Sequence, residues 1–257
     1  MIRTVDALER MSMSELPAGS STFRCRRSDE VIVAEWEGLL TLRATATGDL
    51  LAFEPARDLP RHRVEKLRDG VAAAFLRSLR GSHSLHAAAV ASAGATLICV
   101  GRSGAGKSTL AAGLCEQRDV ELLSDDIAAL ELRRGLWHVV PSEASIWLHR
   151  RRGAGKAPVR SFRTANRPAA VQFVVHLSFD DTVIEPAVRL MHPIDALGVL
   201  MSAMVRFDPG PMIWLRELDL VETLLRQARV FEVVRSHRTP PARVARSVTA
   251  QTWGNRR

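Results

Sequence analysis

Nine residues, Gly101-Arg102-Ser103-Gly104-Ala105-Gly106-Lys107-Ser108-Thr109, constrain this chain more than any other stretch. They fit the pattern G-x-x-x-x-G-K-[ST]. In it the glycines let backbone N–H groups curl around phosphate oxygens, the lysine reaches the outer phosphates, and the following hydroxyl ligates Mg²⁺. The pattern also demands a strand before it and a helix after it. Ala95 to Val100 reads as a short buried strand running into the loop, and Leu110, Ala111, Leu114 and Cys115 recur at helical spacing beyond it. A helix starting there adds the positive end of its dipole. Only three lysines stand against thirty-three arginines in the chain, so chance would produce the pattern in about 0.1–0.2% of sequences of this composition. Nucleotide binding at 101–109 is the expectation.

The chain has 257 residues, which suits one large domain or one domain with a small appendage, and its apolar fraction of 46% is ample for a core. Its longest apolar stretches, such as Val171 to Phe179, fall short of a membrane span. The N-terminus lacks the apolar region of a signal peptide. Three cysteines, Cys25, Cys99 and Cys115, make no disulfide framework and no zinc spacing. A reduced, cytoplasmic setting without a membrane partner is expected.

The net charge is +8, and much of it is local. No acidic residue occurs from Ala144 to Phe179, where Arg150, Arg151, Arg152, Lys156, Arg160, Arg163 and Arg167 lie. Such a run is a solvated loop, a clamp for an anionic substrate or nucleotide, or a nucleic-acid surface. The last is disfavoured, because few aromatics are interleaved and no recognition module is evident. Within the run, Gly153-Ala154-Gly155-Lys156 imitates a phosphate loop, but Arg150 replaces the first glycine and Ala157 offers no metal ligand.

Three strands are expected between Ser21 and Phe53, with turn signals at Ser28-Asp29, Glu37-Gly38 and Gly48-Asp49. Pro60 opens a helix through Arg80. A strand over Leu85–Ala91 then forms a hairpin with the strand of the phosphate loop. Later strands are expected at 121–124, 127–132, 136–140, 171–177, 183–190 and 230–234. Helices follow Pro193 to about Val205 and cover Met212–Ala228. The mixture of hairpins and crossover helices predicts an α/β fold whose sheet is not purely parallel. It divides into an N-terminal β-rich lobe with a helix (1–82) and a phosphate-loop domain (83–257).

Asp125 and Asp126 end an apolar strand eighteen and nineteen residues after Lys107. A strand beside that of the phosphate loop would deliver carboxylates to the metal at that point. One can hold Mg²⁺, and its neighbour can accept a proton from an attacking hydroxyl. The bland reading is a strand-to-turn cap, although two adjacent aspartates cannot both face a core cheaply. His86 lies fifteen residues before Gly101. Alone it would read as structural; with the aspartates in register it becomes a neighbour of the terminal phosphate or of an aspartate. His83, His138, His149, His176 and His192 read as structural.

Leu85-His86-Ala87, an apolar strand, the loop 101–108 and Leu122-Leu123-Ser124-Asp125-Asp126 together resemble the catalytic core of HPr kinase/phosphorylase. They are similar in particular to the shorter HPr-kinase-related proteins, including lasso-peptide kinases, whose nucleotide-binding architecture is shared with phosphoenolpyruvate carboxykinase. The resemblance is strongest over about residues 85–130. It implies a mixed-sheet fold of that type with the β-rich extension in front, ATP and Mg²⁺ as cofactors, and a homo-oligomer as one form the chain could take. It implies that His86 is the active-site histidine, that Lys107 is the phosphate lysine, that Ser108 and Asp125 serve the metal, and that Asp126 deprotonates the acceptor hydroxyl. Two family features have no clear match. Glu143 is a positional stand-in for a metal-binding glutamate, and Ile194 and Asp195 occupy the region of an active-site arginine, for which Arg189, Arg206 and the basic window are substitutes.

The function implied is an ATP-dependent kinase acting on a Ser/Thr-type hydroxyl. The acceptor is a peptide, a protein or a small molecule, with a ribosomal precursor peptide among the candidates. The alternative is a nucleotide-dependent binding or regulatory module of a peptide-modification system, without transfer.

Overall fold

The computed structural model describes residues 3–5, 23–142, 145–149, 156–159, 161–207 and 211–254. Its chain forms two compact units. One comprises residues 1–84 and 205–215, the other 85–204 and 216–257.

The first unit is an antiparallel meander of β1 (Arg3–Val5), β2 (Phe23–Arg27), β3 (Val31–Trp36), β4 (Leu40–Thr45) and β5 (Leu50–Pro55). Strict alternation of buried and half-buried residues along β3 puts Ile32, Ala34 and Trp36 on one face, as expected where one side of an antiparallel sheet is covered. The cover is helical: α1 (Arg61–Leu67) and α2 (Ala73–Leu79), joined by a π-turn over Arg68–Ala72. The helical stretch expected from Pro60 to Arg80 thus runs unbroken over Arg61–Leu79, with a π segment in its middle. Trp36, Phe75, Phe23 and Phe207 pack edge-to-face or tilted, with ring centroids 5.0–6.2 Å apart, the preferred geometry for ring quadrupoles.

The second unit is built on a curled mixed sheet. Its strands are β6 (His83–His86), β7 (Ala88–Ser92), β8 (Ala95–Val100), β9 (Val120–Ser124), β10 (Ile127–Arg133), β11 (Leu136–Val140), β14 (Ala169–Phe179), β15 (Ala187–Leu190) and β16 (Arg229–Arg235), and β12 (Ile146–His149) pairs separately with β13 (Lys156–Val159). Its helices are α3 (Lys107–Cys115), α4 (Pro193–Ala203), α5 (Pro211–Gln227) and α6 (Pro241–Thr252). The strand order is β6-β10-β11-β14-β8-β7-β9, with β16 also against β14 and β15 outside β16. Strand β14 runs parallel to β8 on one side and to β16 on the other. Eleven residues of β14 are enough to pair β8 along one edge and both β11 and β16 along the other.

Both faces of this sheet are covered, so its central strands read as continuous apolar runs. Ile98, Val100, Val171 and Val174 pack against Ala196 and Leu200 of α4 and Leu220 and Leu224 of α5. Leu97, Cys99, Phe173 and Val175 pack against Leu110 and Leu114 of α3 and Val244 and Val248 of α6. Helix α6 lies beyond the last expected strand and packs against α3 on the same face of the sheet. Gly113 permits that approach, since a Cβ there would stand 3.4 Å from the Ala245 Cβ. Leu114 is wholly buried in this layer. Leu114→Ala is therefore expected to destabilise the fold by about 2–5 kcal/mol, read as a lowered urea midpoint at unchanged m-value.

One departure from the expected strands positions the site. In place of a single strand over 85–91, β6 and β7 are separated at Ala87, while β9 and β10 are separated at Asp125–Asp126. The two breaks face each other: the Ala87 N–H donates to the Asp126 carbonyl at 3.0 Å, and the β7–β9 register shifts between Ala89 and Val90. Paired strands bent at one place turn their side chains out of the sheet, a common device beside active sites. The β9 edge is covered in turn, because Leu122 exchanges hydrogen bonds with Arg163 and Ala165. That part of the basic window is ordered backbone along a strand. Arg150, Arg151, Arg152, Arg160 and Glu143 lie outside the described residues, as does the side chain of Lys156. No helix among the described residues is long and apolar enough to cross a membrane.

Candidate active site

The phosphate loop leaves β8 at Gly101 and enters α3 at Lys107. Gly101 has φ +147° and passes so close to β14 that a Cβ would meet the Leu177 carbonyl at 2.9 Å. Gly106 has φ +90° and caps α3. Both conformations exclude ordinary L-residues, which is why glycine stands at both ends of the loop. Lys107 is 8% exposed, and its ammonium donates to the carbonyls of Gly101 at 2.9 Å and Arg102 at 3.3 Å. Ser108 and Thr109 follow in the first turn of α3, beside its unpaired amides. Residues Arg102, Ser103, Gly104 and Ala105 form the turn between, closed by an Ala105 N–H bond to the Arg102 carbonyl.

Burial pushes the Lys107 amine below its ordinary range, and the charges of Asp126 and then Asp125 oppose that shift. The three expected charges therefore share one electrostatic neighbourhood. Asp125 is 1% exposed, and its Oδ2 accepts the Trp147 N–H of β12 at 2.7 Å. Asp126 is half-buried, and its Oδ1 lies 3.5 Å from His86 Nδ1. Its backbone is unusual, with φ +86° at a non-glycine residue. Such a conformation costs on the order of 1–3 kcal/mol and persists where the surroundings impose it, typically at functional sites. Thus the structure brings His86 to Asp126, and both carboxylates within electrostatic range of Lys107.

Arg189 sits on β15 opposite Glu232 and is exposed. Arg206 belongs to the first unit, where its guanidinium lies 4.0 Å from the centroid of the Trp214 ring. Asp195 falls in the first turn of α4, favourable for the helix dipole. A residue not anticipated does reach the loop. Arg235, the last residue of β16, donates from Nη2 to the Ala105 carbonyl at 2.9 Å. Its strand was legible in the sequence, but the pairing of β16 with β14 was not, and that pairing carries Arg235 to the loop.

A carboxylate and a hydroxyl are hard oxygen donors of the kind Mg²⁺ selects. Ser108 and Asp125 fit that chemistry, with the buried Asp125 already fixed by the Trp147 amide. Among the described residues no cluster of three His, Cys, Asp or Glu side chains forms a complete cage.

Strand, glycine loop and helix stand in the required order, but the acids stand at the end of β9, which β7 separates from the loop strand β8, whereas the sequence led to a strand directly beside it. Residues 95–115 thus carry the phosphate-loop motif in strand–loop–helix order. Residues 97–181, about a third of the chain, match the family model of the AAA domain. That span runs from β8 through the loop and α3 to the turn after β14. No curated protein matches the chain. Among solved structures the chain is similar to the HPr(Ser) kinase/phosphatase from Coxiella burnetii, at 15% identity and a TM-score of 0.40, over 65% of this chain and 95% of that one. The likeness is distant.

Gly106→Ala places a Cβ at φ +90° and within 2.3 Å of Arg235 Nη2. The guanidinium can swing aside, but the backbone strain stays, at about 1–3 kcal/mol. The variant is expected to melt lower and to lose most nucleotide affinity, measured by thermal denaturation with and without MgATP.

Proposed function

We propose that the chain is an ATP-dependent phosphotransferase that moves the γ-phosphoryl group to a Ser/Thr-type hydroxyl of a peptide or protein acceptor. The observation that carries this reading is the His86–Asp126 pair, 3.5 Å apart on two bent strands, in electrostatic range of the phosphate-loop lysine. A nucleotide holder needs the loop alone. A strained, half-exposed carboxylate beside it is what an acceptor hydroxyl requires.

The chemistry asks little covalent help from the protein, because phosphoryl transfer is dominated by positioning and charge stabilisation. The amides of 102–108 and the Lys107 ammonium hold the phosphates. Bound Mg²⁺ would neutralise charge on the phosphate oxygens, with Ser108 and Asp125 as its protein ligands. Asp126 accepts the proton of the acceptor hydroxyl as its oxygen bonds to the γ-phosphorus. The bond from the γ-phosphorus to the β–γ bridging oxygen breaks, and ADP leaves with that oxygen. His86 orients the Asp126 carboxylate during the transfer.

Incubation of the purified protein with ATP labelled at the γ-phosphate and a panel of Ser- and Thr-containing peptides tests this. Label in a peptide, located by mass spectrometry, supports the reading. Binding of ATP with no label in any acceptor, and with partner binding that depends on nucleotide, would replace it with a regulatory module.

A further inference from the structure

Arg235 occupies a position that the proposed chemistry does not yet explain. Its Nη2 donates to the carbonyl of Ala105, and the same atom lies 2.3 Å from where a Cβ of Gly106 would stand. The guanidinium is therefore packed against the peptide that links residues 105 and 106. No peptide bond among the described residues is cis, and in a trans peptide the C=O and N–H of one plane point in opposite directions. A group that holds the Ala105 carbonyl from one side fixes the direction of the Gly106 N–H on the other. That N–H is one of the cradle amides of the phosphate-loop pattern.

The guanidinium is itself held in place. It lies 4.4 Å over the Phe179 ring, a cation–π distance. Phe179 stacks on His237 with centroids 3.7 Å apart and planes 8° from parallel. His237 is tied to Asp181, which accepts its backbone N–H at 2.8 Å and the Ser236 hydroxyl at 2.9 Å and lies 3.1 Å from its Nδ1. These contacts hold the Asp181 carboxyl down at about 2, the His237 amide contributing most, then the Ser236 hydroxyl. The Asp180 N–H also donates to the Arg235 carbonyl at 3.1 Å. The turns after β14 and after β16 are thus laced together, with the guanidinium between them and the loop. Burial pushes the Arg235 guanidinium below its ordinary value, so the fold spends some stability to keep a cation at this spot.

We propose that Arg235 is a positioning residue for the phosphate cradle. By gripping the carbonyl of the 105–106 peptide it aims the Gly106 N–H at the nucleotide's phosphate and, by polarising that peptide, makes the N–H a stronger donor. A hydrogen bond to one end of an amide strengthens the bond at its other end, and a charged partner does so more than a neutral one. The inference rests on nucleotide binding at 101–109, and it extends that reading to a residue 130 positions from the loop carbonyl it grips.

The test uses the full chain, MgADP as the probe, and Arg235→Gln, Arg235→Lys and Phe179→Leu. Calorimetry gives the affinity, and the amide proton shift of ¹⁵N-labelled Gly106 reports the hydrogen bond itself. Arg235→Gln is expected to weaken MgADP by about tenfold and to shrink the downfield shift of the Gly106 amide on binding. Arg235→Lys should restore part of both. Phe179→Leu, which keeps the guanidinium but removes its platform, should fall between wild type and Arg235→Gln, and it carries the test if Arg235→Gln does not fold. Wild-type affinity and an unchanged Gly106 shift in the folded variants overturn the role of Arg235 while leaving nucleotide binding intact. Failure of the wild-type chain to bind MgADP or MgATP overturns the nucleotide reading, and this inference with it.

Discussion

Lys107→Ala is expected to weaken MgATP binding by roughly a hundredfold and to abolish the proposed transfer. The estimate follows from losing charge-assisted hydrogen bonds of about 1.5–3 kcal/mol to phosphate oxygens, at 1.4 kcal/mol per tenfold. Stability should change far less. The ammonium is kept in a buried place that disfavours its charge, and the neighbouring Asp126 and Asp125 only offset this. Removing it also frees the Gly101 and Arg102 carbonyls from their donor, at a cost of similar kind and opposite sign. A titration with MgATP beside a thermal melt separates the two effects. Near-wild-type affinity in a folded variant would show that 101–109 is not a phosphate cradle.

Asp126→Asn should lower the rate of phosphoryl transfer by about 10²–10⁴-fold, the usual contribution of a general base, while MgATP affinity stays within about threefold. Asparagine is the informative substitution for two reasons. It has the same shape, so contact with His86 survives without the charge, and it tolerates the left-handed region better than other non-glycine residues. The φ of +86° at this position would make alanine a confounded test, with strain added to lost chemistry. Single-turnover transfer from labelled ATP to an identified acceptor gives the rate, and calorimetry gives the affinity. Undiminished turnover would leave the carboxylate without a chemical role.

These outcomes bear on residues whose placement was unequally legible in the sequence. Gly101 to Thr109 could be read because the conformation is local: φ values of +147° and +90° at Gly101 and Gly106 require glycine whatever surrounds them. Asp125 and Asp126 were legible as polar residues ending an apolar strand. Their separation into a buried and a half-exposed carboxylate was not, because it depends on β12 supplying the Trp147 amide to one and His86 facing the other. Helix α6 carries an apolar stripe of Val244, Ala245 and Val248, yet arginines within the same turns mask it. Its partner α3 is decided across more than a hundred residues of chain. The break at Ala87 also escaped the period-two pattern, since an unbroken run of small and apolar residues follows it from Ala88 to Ala91 and the break comes from pairing with Asp126.

Left to itself, the sequence determined the phosphate loop, the elements flanking it and the chemical types available nearby. Each of these follows from backbone sterics and short-range periodicity. Tertiary structure alone decided which end of which strand meets the loop. It set His86 against Asp126, buried Asp125 under β12, and brought Arg235 from the far end of the chain to the Ala105 carbonyl. Those choices depend on strand order and register in a mixed sheet, where burial of both faces makes many apolar strands interchangeable to a local reading and only the packed whole distinguishes them.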